Sequence, residues 1–442
     1  MQLGLVLCVT HTLAVSLARA APPDWSGVRA ALARGLAARV TPGLAAGVRT
    51  ADGVVAFFEA HGALTYGEPT PLGAPNSPTT VDTLFDLASC SKLVGPVTAA
   101  ARLYELGLLP PLDTPVADAA LLGPAFAASG KAAVTLRHLL LHDAGLPPDP
   151  SPGYGAAAFG CPATAVQPTP PLALSCVEAI FAAVLNQSLV RPPGEEYVYS
   201  DLSMITLLFA VGRVAARAGL VDAGDFRAEC AALAPAPGGG AFALCAYEAY
   251  WRLAIKPRLF AGGAAAPTAY LLDRALWPQA QPTYADPSYR HETMQGAVGD
   301  ANAYASGGIS GHAGVFSTLG DVLNFTAVWQ YGASGLLNAT TTRTWTTVAN
   351  ASFSPRALGW LTQAPTDPYQ GCGNLSAATF YHTGYTGQLM CVDPVRNIST
   401  VLLTSRVYPD EGNVAGILEL RQSFNNAVLE ALTLTLGARG AS

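Results

Sequence analysis

Lysine occurs only three times in the 442 residues, as Lys92, Lys131 and Lys256. One of them stands three residues after a serine, in Asp86-Leu-Ala-Ser89-Cys-Ser-Lys92. A serine hydroxyl is a weak nucleophile near neutral pH and needs an adjacent base. On a helix the i,i+3 spacing puts Lys92 on the face of Ser89, one turn deeper. Burial and the positive end of a helix both disfavour an ammonium, so Lys92 is expected to shed its proton and accept that of Ser89. Backbone N–H groups at a helix start can also stabilise an oxyanion. Further along come Tyr199-Ser-Asp201 after Pro193-Gly194, the run Gly307-Gly-Ile-Ser-Gly-His312-Ala-Gly-Val-Phe-Ser-Thr318, and His382-Thr383-Gly384.

In that order the motifs resemble the serine β-lactamase and penicillin-binding-protein superfamily, which shares S-x-x-K, a Y-x-N-type element and a K/H-T-G strand. Similar wording covers 84–113, 135–147, 191–206, 298–325 and 380–409. The chain looks most like the class C-like hydrolases, and within them the bacterial cell-wall amidase and D-Ala-D-Ala carboxypeptidase subgroup. That subgroup's glycine-rich stretch and its N-R-V-H-P element read here Gly299-Asp300-Ala-Asn302-Ala303 with 307–318, and Ser405-Arg406-Val-Tyr408-Pro409. The resemblance implies Ser89 as the acylated nucleophile, Lys92 as its base partner, and Tyr199 sharing the proton with a phenol pKa lowered by the lysine. It implies that His382, Thr383 and Gly384 line the cleft on a sheet edge. The N–H of Tyr385 would complete an oxyanion hole with that of Ser89, and Asp201 would lie against substrate. His312, in a glycine-rich turn, either contacts substrate or holds that turn's backbone. The chain departs from the family where Asp201 and Ser203 replace Asn, Gly299 replaces His, and His382 replaces Lys; an anionic side chain at 201 would hold Lys92 protonated. Gly95-Pro96 falls inside the expected nucleophile helix, where proline breaks the hydrogen-bond ladder.

Other chemistries are weaker in the sequence. His138 and His142 share one helix face but lack a following Glu, so they read as packing and loop hydrogen bonds rather than a zinc pair. No lysine follows the glycines of 307–314, which excludes a phosphate loop. Position 312 is His where a G-x-S-x-G elbow from Gly308 needs Gly. Cys90 reads as a small buried hydrophobe. No metal or organic cofactor is implied, and the expected partner is a small-molecule or peptide-like substrate. A silent relative that binds peptide or glycan in the same cleft is the alternative.

The elements that must position these residues are legible in outline. Apolar periodicity predicts helices over 25–39, 89–106, 135–142 and 414–434. Asp52-Gly53 between apolar runs predicts a hairpin over 44–58. Strands are expected near 380–382, 389–393 and 400–405. Sheet signals at both ends with helices between them predict an α+β, β-lactamase/transpeptidase-like fold, an antiparallel sheet from both chain ends with a mostly helical insertion. The expected organisation is a signal peptide over 1–20 with an Ala18-Arg19-Ala20 cleavage site, then one catalytic domain over 21–442. Its sheet part is 21–85 and 338–442 and its helical part 86–337.

Apolar residues make up 50% and charged residues 12%, with a net charge of −6. Such a chain has material for a core and no clustered positive charge for nucleic acid or anionic membrane. Cys161 and Cys176, Cys230 and Cys245, and Cys372 and Cys391 form near pairs that suggest local disulfides in an oxidising compartment. Sequons at Asn186, Asn324, Asn338, Asn350, Asn374 and Asn397 suit a secretory route with glycans, and no stable membrane span is expected in the mature chain.

Overall fold

The computed structural model describes residues 22–51, 53–162, 174–412 and 414–440. The expected signal peptide, its cleavage site and part of the proline-rich excursion over 147–172 lie outside the described residues.

Ten strands run in chain order as β1 Gly43–Arg49, β2 Val55–Gly62, β3 Phe85–Asp86, β4 Ala285–Asp286, β5 Glu292–Thr293, β6 Phe316–Ser317, β7 Leu361–Thr362, β8 Phe380–Thr383, β9 Leu389–Asp393 and β10 Ile398–Thr404. Six of them build one antiparallel sheet in the order β2-β1-β10-β9-β8-β7. The first and last strands are therefore neighbours, with Leu44 opposite Thr404. Short pairs β3–β6 and β4–β5 stand apart.

The twofold alternation of strand side chains divides the apolar residues between two layers. Leu44, Ala46 and Val48 of β1, with Leu389, Cys391 and Leu402, face the helices Ser26–Ala37 and Val414–Gly440. Ala45, Met390, Val392, Val401 and Leu403 face the other way, into the larger core that holds the central helices. A slip of one residue would turn every one of these side chains to the wrong layer, so burial of both faces fixes the register. The long central helix Asp201–Arg217 is buried over most of its circumference, which is why its sequence reads as an almost unbroken apolar run.

Among the described residues the three cysteine pairs are joined as Cys161–Cys176, Cys230–Cys245 and Cys372–Cys391, and Cys90 is free and buried. Burial pushes the Cys90 thiol up to about 12, so it packs as an apolar group. No described helix is long and apolar enough to cross a membrane. Of the sequon asparagines, Asn186, Asn338, Asn350 and Asn374 are exposed, while Asn324 and Asn397 are half-buried.

The helix expected over 89–106 differs from the observed one. A 3₁₀ turn spans Ala88–Cys90, a π-helical stretch spans Leu93–Val97, and the α-helix proper begins at Thr98 and ends at Glu105. Gly95 leaves helical geometry, and Pro96 sits inside the wide turn. The kink has a packing cause. A Cβ on residue 95 would come within 2.1 Å of the Tyr270 hydroxyl and 2.7 Å of that of Tyr247, and these two buried phenols bond each other at 2.6 Å. Carbonyls in the widened turn find side-chain donors instead: Thr98 Oγ1 donates to Leu93 O at 2.5 Å and Trp251 Nε1 to Val94 O at 2.9 Å. The irregularity is thus fully bonded, as buried backbone must be.

Candidate active site

Ser89 sits in the short 3₁₀ turn directly after β3. Its neighbour Ala88 has φ of 44°, a left-handed conformation that costs a non-glycine residue energy and persists where surroundings impose it. Asp86 imposes it: its buried carboxylate accepts from Ala88 N at 2.9 Å and from Gly299 N at 2.8 Å. The Asp86 carbonyl in turn accepts from Thr386 Oγ1 and Gln388 Nε2, both at 2.8 Å. One residue therefore ties the nucleophile turn to the segment after His382-Thr383-Gly384 and to the segment before the glycine-rich run. Burial pushes the Asp86 carboxyl up to about 6.

Lys92 is 0% exposed and forms the floor of the site. Its Nζ donates to Ser89 Oγ at 2.8 Å and to the carbonyl of His312 at 3.2 Å, and it pairs with Asp201 Oδ1 at 2.7 Å. The spacing expected of Ser89 and Lys92 is realised, and of the two charge states open to the lysine, the one that an anionic Asp201 favours wins over proton loss. Burial opposes the ammonium, yet the Asp201 carboxylate and hydrogen bonds to Asp201 and Tyr199 outweigh it, and the pKa lies above that of an ordinary lysine. Asp201 reaches this position because Ser200 caps the helix it opens, its hydroxyl accepting from Ser203 N.

Tyr199 is the third member of the group. Its ring lies 4.8 Å beneath Lys92 Nζ, and its hydroxyl exchanges hydrogen bonds with Lys92 and Ser89. The expected lowering of the phenol pKa is reversed. Burial raises it and Asp201 adds to the rise, against the lowering pull of Lys92. The ring is held by His142 at 4.7 Å and His382 at 6.2 Å between centroids, and the Arg356 guanidinium lies 5.1 Å from its centre. His142 Nδ1 accepts from Ser200 N at 3.1 Å, so the loop role read from the sequence is the one it plays. His382 places its Nδ1 2.8 Å from the Thr383 carbonyl; a carbonyl only accepts, so this nitrogen carries the proton.

His312 is buried, and both ring nitrogens are bonded within the protein. Its Nδ1 meets Ser310 Oγ at 2.8 Å and its Nε2 meets Asp300 Oδ1 at 2.9 Å, so neither ring nitrogen is left for a ligand. Burial opposes its charge, but Asp300 and Asp201 raise its pKa, while His312 holds the Asp300 carboxyl well below the ordinary range despite burial. Asp201, Asp300 and His312 bring ligand-type atoms within 4.8 Å of one another. Lys92 already pairs with Asp201 there, and His312 with Asp300.

The opposite wall is backbone. Gly384 approaches the nucleophile turn so closely that a Cβ there would stand 2.6 Å from Leu87 O. This contact brings the Gly384–Tyr385 peptide alongside residues 87–89. The Tyr385 side chain is 52% exposed and donates its hydroxyl to Glu411 at 2.6 Å. Arg406 Nε donates to Tyr385 O at 2.7 Å. Asp86, Arg356 and Arg421 were missed as site residues. Asp86 lies within the quoted motif, but nothing local marks a carboxylate whose role is to hold backbone.

Comparison with known proteins agrees with this geometry. The beta-lactamase family matches residues 28–222 and 262–422. An Escherichia coli K12 protein provisionally named a D-alanyl-D-alanine carboxypeptidase is 27% identical over 373 residues, covering 80% of this chain and 76% of its own. Among solved structures, EstCE1, described as a hydrolase with promiscuous acyltransferase activity, superposes with a TM-score of 0.60 at 20% identity, over 90% of this chain and 97% of its own. A penicillin-binding-protein homologue from Caulobacter crescentus gives 0.61 at 18% identity, over 92% and 98%. With the motifs in family order and the sheet closed by both chain ends, this chain belongs to the beta-lactamase family and is a serine hydrolase.

Proposed function

We propose that the protein is a secreted enzyme acting on an amide or ester bond through an acyl-enzyme on Ser89, and that residues 21–442 form its single catalytic domain after removal of the leader. The observation that carries this reading is the buried Lys92 ammonium 2.8 Å from Ser89 Oγ, with Tyr199 beside both. In the reaction Ser89 Oγ bonds to the substrate carbonyl carbon while its proton passes into the Lys92–Tyr199 pair. The oxyanion rests on the N–H groups of Ser89 and Tyr385. Collapse expels the amine or alcohol, which takes the proton, and water then releases the acid by the reverse route. With Lys92 and Tyr199 both protonated at rest, one proton must leave the group before Ser89 can give up its own, so acylation runs on a rising alkaline limb.

A small acyl compound or a peptide-like substrate suits a cleft bordered by the end of β8, beyond its pairing with β7, which covers only Phe380 and Tyr381; there main chain can pair with main chain. The carboxypeptidase name of the Escherichia coli relative makes D-Ala-D-Ala peptides the first compounds to assay. The three disulfides support the oxidising compartment, and the exposed sequons support glycosylation. The test is intact mass of the secreted, deglycosylated protein before and after an activated phosphonate, with peptide mapping. An adduct on Ser89, absent in Ser89→Ala, is expected. A folded protein that takes no adduct, or a Ser89→Ala variant that turns over an ester at the parent rate, overturns the reading in favour of a silent binding relative.

A further inference from the structure

Arg421 lies on the C-terminal helix, outside every motif quoted above, and is only 9% exposed. Among the described residues no carboxylate lies within ion-pair distance of it. Its Nη2 instead donates to two carbonyls, Gly384 O and Gln388 O, each at 2.9 Å. Burying a cation without a counter-charge is costly, and burial lowers the pKa of this guanidinium to about 10. The fold tolerates that cost at the carbonyl which shares a peptide unit with Tyr385 N–H.

A peptide unit is planar, so fixing the direction of the Gly384 C=O fixes the direction of the Tyr385 N–H. A hydrogen bond from a cation to the oxygen also draws charge through the amide and makes its N–H a stronger donor. The other contacts are in place: Gly384 N donates to Gln388 O at 2.9 Å, and Arg406 holds the next carbonyl. We propose that Arg421 is a positioning residue for the oxyanion hole, orienting and polarising the Gly384–Tyr385 peptide so that its N–H takes charge from the tetrahedral intermediate. This rests on the assignment of Ser89 and Tyr385 above.

Three substitutions separate its two parts. Arg421→Gln keeps N–H donors without charge, Arg421→Lys keeps charge with a different donor geometry, and Arg421→Met keeps neither. Turnover of a p-nitrophenyl ester and the rate of phosphonate labelling are measured beside thermal unfolding. Loss of one oxyanion donor costs about 10²–10³ in kcat, so Arg421→Met is expected to lose about 100-fold in kcat with KM within a factor of two. Lys is expected to recover most of that loss and Gln less. A folded Arg421→Met enzyme with parent kcat overturns the inference. So do Lys and Gln variants with equal kcat, and this comparison serves alone if the Met variant does not fold. A parent chain that takes no adduct at Ser89 overturns the functional reading and this inference together, whereas an active parent indifferent to Arg421 overturns this inference only.

Discussion

The two walls of the cleft are built from different materials. On one side stand Lys92, Tyr199, Asp201, Asp300 and His312, titratable side chains locked into ion pairs of 2.7 Å and 2.9 Å. On the other side the proposed active groups are peptide N–H donors, and the charged residues Asp86, Arg406 and Arg421 hold backbone. In the proposed reaction the first wall moves protons, so its state depends on pH and on every neighbouring charge. The second wall supplies fixed dipoles that need no reorganisation when charge develops. Variants on the first wall should therefore move a pH limb, and variants on the second should lower the rate without moving it, except where the backbone is held by a group that itself titrates.

The largest effect is expected from Lys92→Ala. Removing a positioned proton acceptor costs about 10²–10⁴ in rate, and phosphonate labelling of Ser89 should slow by about 1,000-fold in a variant whose circular dichroism matches the parent. Next is Asp86→Asn. An amide offers one acceptor where the carboxylate offers two, so either Ala88 N or Gly299 N loses its partner. Misplacement of a reacting group by about 1 Å can cost about 100-fold, the loss expected in kcat. Asp86 is the titrating exception. Its carboxyl, raised to about 6 by burial, is protonated below that pH and surrenders an acceptor, so the parent should lose activity as pH falls through about 6. That inflection should be absent from Asp86→Asn.

Asp201→Asn follows, with an effect of the opposite sign. The carboxylate is the strongest of the groups that keep Lys92 charged; without it burial is opposed only by Tyr199, and the ammonium's pKa falls. The alkaline limb should shift by about one unit toward acid, measured as the pH profile of labelling, and the rate at neutral pH should rise. A limb that stays put would mean that Lys92 does not carry it. The smallest effect is expected from Thr386→Val, which removes one hydrogen bond to the Asp86 carbonyl. At about 1 kcal/mol for such a bond, kcat should fall about fivefold with the pH profile unchanged. A moved profile would erase the distinction between the two walls.

Much of the first wall was legible because its chemistry resides in residue types at short spacing. Ser89 and Lys92 are three apart on one helical turn, and Tyr199 and Asp201 flank the residue that caps the next helix. The strands were legible too, with β9 at its full span, because burial on both faces leaves long apolar runs. The nucleophile helix was not. Its periodicity is helical throughout, but Gly95 yields to the Tyr247–Tyr270 pair, which arrives from more than a hundred residues downstream. The second wall was least legible, since an N–H has no letter of its own.

The sequence by itself determined the closeness of Ser89, Lys92 and their near neighbours, the pairing of cysteines near in the chain, and the division of apolar residues between two faces of a sheet. Each of these depends on groups within about a turn of helix or on strand alternation, distances over which a chain has few conformations to choose from. Only the tertiary structure decided the direction in which the Lys92 and Tyr199 pKa values move, the burial of His312 between Ser310 and Asp300, and the convergence of Asp86, Gly384 and Arg421 on one small region. A pKa is a sum over surroundings from every segment that packs against the group, and the direction of a peptide N–H is set by whatever holds its carbonyl. In this protein those partners come from separate segments, Asp201 and the His312 carbonyl against Lys92 and Arg421 against the Gly384 carbonyl.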